Sequence, residues 1–128
     1  MIGRNMKDKI NNVEDLIVYK KLSDLTIEIH DLSLKFPKFE LYELGSQIRR
    51  SSNSIPANIA EGFNNKHINL YLEGISRALG ELRETKHHLK IAFAKKYISK
   101  NQFDHCIVRY DECARILKGL EKSLFKFT

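Results

Sequence analysis

The sequence is poor in cysteine and proline and has no long apolar run, and each shortage excludes a class of protein. Its two cysteines, Cys106 and Cys113, lie about two turns apart in what reads as one helix, too far along the axis for a disulfide. They read as reduced, small apolar side chains. No Cys-x-x-Cys pair and no Cys/His finger spacing occurs, which argues against a structural zinc site. No apolar stretch approaches the roughly 18 residues of a membrane span, and the polar N-terminus lacks the apolar centre of a signal peptide. A cytoplasmic protein with no membrane partner is expected. Glycine-rich phosphate loops, Gly-x-Ser-x-Gly elbows and His-Glu-x-x-His motifs are also missing, as are internal repeats, low-complexity segments and strand-like alternation.

What is present is one domain's worth of chain. At 128 residues roughly two thirds of the unfolded surface can be buried, so a core can form without a cofactor to support it. Residues 1–12 read as a flexible polar tail and 13–128 as the domain. The net charge is +6, and its placement is informative. Residues 1–64 carry 9 basic and 9 acidic side chains and residues 65–128 carry 13 and 7, so the whole excess lies in the second half. Such asymmetry signals a polyanion-binding face, although lysine-rich helices also serve solubility.

Four amphipathic stripes run along the chain. The first helix is expected to start near Val13 to Asp15 and carries Val18, Leu22, Leu25, Ile29, Leu32 and Phe36. Pro37 ends it, because the residue before proline is driven out of the helical region. A second stripe, Leu41, Leu44, Ile48, Ile55 and Ile59, contains Ser51 and Ser52, small enough to let a neighbour approach. Pro56 inside it is expected to kink the helix without dividing it, since the apolar spacing continues in phase on both sides, and Gly62 to close it in a left-handed conformation. The third and longest helix, about 66–97, alternates steps of four and three through Ile68, Leu72, Ile75, Leu79, Leu82, Lys86, Leu89 and Phe93, the seam of a bundle. Lys86 alone interrupts it and is expected to snorkel to the edge. Ser99 and Gln102 form a capping box that starts a fourth helix, which buries Phe103, Cys106 or Ile107, Tyr110, Cys113 or Ala114, Leu117, Leu120 and Leu124. Joined by short links, these helices predict an all-α, antiparallel up-down-up-down four-helix bundle.

Catalytic chemistry finds little support. A di-iron site needs two Glu-x-x-His units, and the chain offers one, Glu84 with His87, flanking the seam. Neither cysteine has neighbours that would lower its pKa. The expectation is no enzyme, no metal and no cofactor. Beside the second apolar stripe, Gln47, Arg50, Ser54, Asn58 and Glu61 form a polar one, suited to hydrogen bonding at the seam, and Arg50 with Glu61 or Asn58 is read as such a network.

That segment carries a resemblance. Phe36-Pro37, then Glu40, Tyr42 and Leu44, then Gln47, Ile48, Arg49 and Arg50, then Ser54, Pro56, Asn58, Glu61 and Gly62, and finally Leu79, Gly80, Leu82 and Glu84 resemble the pattern of the four-helix-bundle, or 23S rRNA intervening-sequence, protein family. Similarity to the accessory variability determinant of diversity-generating retroelements comes with it. The resemblance covers about residues 15–125, with Glu81 and the Ser51-Ser52 pair departing from the usual small residues. It implies a bacterial cytoplasmic bundle that assembles as a homopentamer, with no enzymatic activity established and with nucleic acid as an associated partner. The candidate nucleic-acid contacts are Arg77, Arg83, Lys86, Lys90, Lys95, Lys96 and Lys100, with Arg109, Arg115, Lys118 and Lys122 on the fourth helix. The rival reading is a scaffold for a protein partner. Homo-oligomerisation is also suggested by apolar residues off the stripes, namely Leu16, Ile17, Tyr19, Tyr71, Ile91 and Phe127.

Overall fold

The computed structural model describes residues 10–128; residues 1–9 of the expected tail lie outside the described residues. Four helices follow one another: α1 (Ile17–Ser33), α2 (Leu44–Gly62), α3 (Ile68–Ala94) and α4 (Lys100–Leu124). Short 3-10 turns occupy Val13–Asp15, Lys38–Glu40 and Phe125–Phe127, and the described residues contain no strand. The first helix therefore starts at Ile17, after a separate turn in which Asp15 accepts from the Asn11 and Asn12 backbone amides at 3.0 Å.

The apolar stripes meet in one core. Leu22, Ile29, Ile48, Ile55, Ile59, Ile75, Leu89, Tyr110 and Leu117 are wholly buried, each aliphatic one contributing about 2 kcal/mol by leaving water. Cross-helix pairs show the direction of each neighbour. Ser33 of α1 meets Arg49 of α2, and Thr26 meets Ser52. Arg50 of α2 meets Glu84 of α3, whereas Gly62 meets Gly74. Along α4, Phe103 stacks on Phe93 and Asp111 pairs with Lys86; His105 and Glu112 reach back to Glu28 and Lys21 of α1. In every pair the partner number falls as the residue number rises. The packing of α2 on α3 is the most extensive and that of α1 on α4 the slightest.

Pro56 does not divide α2, which runs unbroken through it. Lacking an N–H, Pro56 cannot serve the Ser52 carbonyl four residues back. That carbonyl has the Thr26 hydroxyl 3.0 Å away, shared with the Leu22 carbonyl of α1 at the same distance. A neighbouring helix thus supplies the donor that proline removes.

Two expectations are overturned. Gly62 is not left-handed; no glycine among the described residues has positive φ, and the left-handed residue that follows α2 is Asn64, at φ 49°. Gly62 remains helical because the constraint on it is contact. A Cβ there would lie 2.8 Å from the Leu70 carbonyl oxygen, and one on Gly74 would lie 2.7 Å from that of Asn58. These glycines let the backbones of α2 and α3 nearly touch. Tyr71 is not a surplus surface residue either, but is buried edge-on to Phe63. The α3 seam is wider than its 3.5-residue stripe, since the second face of Tyr71, Gly74, Ala78, Thr85, His88 and Ala92 is also buried.

Candidate nucleic-acid interface

The basic residues of α3 and α4 do not form one surface. At 100° per residue, Arg83, Lys86 and Lys90 make one row on α3, while Asp111, Arg115, Lys118 and Lys122 make one row on α4. The Lys86 ammonium, half-buried at the seam, donates to Asp111 and brings the two rows together. Within the described residues Arg83, Lys90, Arg115, Lys118 and Lys122 are exposed and form no ion pair. Lys100 lies on the same side of α4 and pairs with Asp104 at 2.9 Å.

The other candidates are turned elsewhere. Arg77 lies nearly opposite the Arg83 row in helical phase and pairs with Glu73 at 2.9 Å. It lines a cleft of about 200 Å³ with Asn58, Glu61, Asn65, Leu70 and the two close glycines. Arg109 is likewise turned from the Arg115 row toward α1. Lys95 belongs to the end of the bundle: its ammonium and the Tyr97 hydroxyl both donate to one oxygen of Glu40 at 2.8 Å. Glu40 is only 6% exposed, and its carboxyl is held below the usual carboxylate range, first by Lys95 and then by Tyr97. Lys96 adopts φ 65° in a Schellman motif, with Lys96 N–H donating to Phe93 O and Tyr97 N–H to Ala92 O, both at 2.9 Å.

The motif residues are mostly structural. Arg49 donates to the Leu41 carbonyl at 2.7 Å and the Ser33 hydroxyl at 2.9 Å, tying the α1–α2 corner to α2. Arg50 does not pair with Glu61 or Asn58, as expected from α2 alone, but crosses to α3. It meets Glu84 at 2.5 Å and Glu81 at 3.5 Å. The Glu84 hydrogen bond is the largest cause raising the Arg50 pKa. Burial opposes ionisation of Glu84, but hydrogen bonds with His88 and Arg50 hold its carboxyl below the ordinary range. Beneath this pair the Ser51 and Thr85 hydroxyls meet at 2.8 Å in the core. Ser54 and Asn58 bond back to the carbonyls of Arg50 and Ser54, Gln47 is exposed, and Glu61 lines the Arg77 cleft.

No catalytic constellation is assembled among the described residues. Glu84 bonds His88, one turn on, and not His87, and no group of three metal-ligating side chains comes together. Burial pushes the Cys106 and Cys113 thiols up to about 11, the opposite of what a nucleophile needs. No described helix is long and apolar enough to cross a membrane.

These features define an all-helical, four-helix-bundle protein with a charged α3–α4 side and a close glycine crossing between α2 and α3. The family model described as 23S rRNA-intervening sequence protein matches residues 14–119, and the chain belongs to that family. A solved structure from Bacteroides thetaiotaomicron VPI-5482, described as a protein with unknown function from the S23 ribosomal protein family, superposes with a TM-score of 0.73 at 26% identity, covering 83% of this chain and 96% of that one. No curated protein matches this chain at a significant level.

Proposed function

We propose that this chain is a non-catalytic cytoplasmic bundle protein that binds RNA, or another nucleic acid, through the α3–α4 side. The observation that carries this reading is the pair of rows in which Arg83, Lys90, Arg115, Lys118 and Lys122 are exposed without ion-pair partners among the described residues. Carboxylates on the same side, Asp104 and Asp111, are already neutralised by Lys100 and Lys86. A polyanion therefore meets uncompensated positive charge. Five phosphate contacts predict a slope of log affinity against log salt of roughly −4. Titration of a labelled structured RNA at several salt concentrations tests this. Arg83→Glu with Lys118→Glu should abolish binding, whereas Arg77→Glu should change it little. Binding that is absent at low salt, or indifferent to salt, refutes the reading.

A second reading rests on the neighbouring side, between α1 and α4. There the slight α1–α4 seam exposes Ile17, Val108 and Ile116, and the antiparallel pairing places Ile17 near Ile116. Apolar side chains so placed favour association of copies, five by resemblance to the family, or a protein partner. A light-scattering mass equal to the 14.9 kDa monomer removes self-association. Retention of one protein partner after nuclease treatment of native extracts favours the scaffold role over RNA binding.

A further inference from the structure

The corner between α1 and α2 exposes two large rings on an otherwise fastened segment. Phe39 is 74% exposed and Tyr42 82%. Glu40 N–H donates to Pro37 O at 2.8 Å, Leu41 N–H to Lys38 O at 3.3 Å and Glu43 N–H to Glu40 O at 3.1 Å. These bonds fix the backbone that carries the two rings. Phe39 and Tyr42, three residues apart, both face solvent, while Glu40 between them is buried.

The corner is also rigid. Glu40 is held by Lys95 and Tyr97, Arg49 grips the Leu41 carbonyl, and Phe36 packs on Tyr97 with ring centres 5.6 Å apart. Folding leaves the two rings in water on a surface that cannot collapse over them. The charge around them is basic. Lys35, Lys38 and Lys96 are exposed, and Lys95 offsets the buried Glu40, leaving Glu43 and, one turn back on α1, Asp31 as the nearby exposed acids. Antiparallel pairing of α3 and α4 brings Lys90 and Lys100, one end of the cation rows, to this same end of the bundle, since Phe93 and Phe103 meet there.

We propose that the 37–43 corner is a stacking platform for unpaired bases of a single-stranded nucleic acid. Phe39 and Tyr42 take the bases, and Lys35, Lys38 and Lys96 take the flanking phosphates. Aromatic rings stack on any base face, so the platform selects single strand over duplex and not one sequence over another. This inference rests on the nucleic-acid reading of the α3–α4 side and assigns the kind of nucleic acid.

The test is fluorescence anisotropy of the full chain with a labelled single-stranded RNA and with the same strand annealed to its complement. Phe39→Ala and Tyr42→Ala should each weaken single-strand binding about tenfold, with duplex binding and thermal stability unchanged, and Tyr42→Phe should bind as the parent does. Quenching of tyrosine fluorescence on single-strand binding, lost in Tyr42→Phe, is expected as well. If the parent binds in a salt-dependent way and both alanine variants match it, the platform is wrong and the charge-based reading stands. If the parent binds neither probe, that reading fails and takes the platform with it. If the alanine variants lower the light-scattering mass and leave single-strand affinity unchanged, the corner joins copies of the chain and the proposal is overturned.

Discussion

Replacing glycine by alanine should have opposite signs at two pairs of positions in this bundle. At Gly74 the added Cβ would lie 2.7 Å from the Asn58 carbonyl oxygen, and at Gly62 it would lie 2.8 Å from that of Leu70 and 3.3 Å from the Tyr71 Cα. Unstrained contacts sit near 3.5 Å or beyond, so α2 and α3 must part by roughly 0.7 Å. No side chain can swing away, because the obstacles are backbone. Overpacking of this kind costs about 1–3 kcal/mol, here at the upper end, and the gain in helix propensity returns about 1 kcal/mol. The net loss is about 2 kcal/mol. For a chain of 128 residues each kcal/mol moves Tm by about 4 °C, so Gly62→Ala or Gly74→Ala should melt about 8 °C lower. Gly119 has nothing within 4 Å of its virtual Cβ, and Gly80 meets only the flexible end of Arg83 at 3.8 Å. Alanine there should raise Tm by up to about 4 °C through propensity alone. The assay is thermal and urea unfolding followed by far-ultraviolet circular dichroism. The double variant Gly62→Ala/Gly74→Ala should lose less than the sum of the singles, since one separation relieves both clashes. A neutral or stabilising Gly74→Ala would refute the close crossing.

Three further perturbations probe the end of the bundle and the fourth helix. Glu40→Gln should destabilise the protein near neutral pH. Because the Glu40 carboxyl is depressed below its ordinary value of 4.5 by Lys95 and Tyr97, its contribution is present above that value and is lost as pH falls through the folded-state value. The stability gap between parent and variant should therefore narrow in acid; a gap that does not change with pH contradicts the ion-pair account. Lys96→Gly should raise stability by about 1 kcal/mol, read as a higher urea midpoint, because φ 65° strains any residue with a Cβ; a lower midpoint would mean that the lysine side chain outweighs the backbone. Cys106 and Cys113 are buried, with thiols pushed up to about 11. A chromogenic disulfide reagent at neutral pH should modify them slowly in the native protein and rapidly in denaturant. Native rates as fast as unfolded ones would show that the α4 core opens freely.

The four helices were legible in the residues because each stripe records the face that one helix buries. Ser99 and Gln102 announced the start of α4, and both bonds of the capping box form, Gln102 N–H to Ser99 Oγ at 3.1 Å and Ser99 N–H to Gln102 Oε1 at 2.8 Å. The family motif was also legible as a string. What periodicity does not contain is the rise and rotation of one helix relative to another, and the misread contacts came from that gap. Arg50 was matched to partners on its own helix, whereas the crossing angle delivers Glu84 and Glu81 from α3. Gly62 looked like a helix terminator, whereas Gly74, distant in sequence, makes it a contact point. Lys95 looked free for a phosphate, whereas Glu40, 55 residues away in sequence, pairs with it at the end of the bundle. Local spacing thus decided which residues are helical and which face inward. Only the tertiary register decided which charges are paired inside the fold and which stay exposed to solvent.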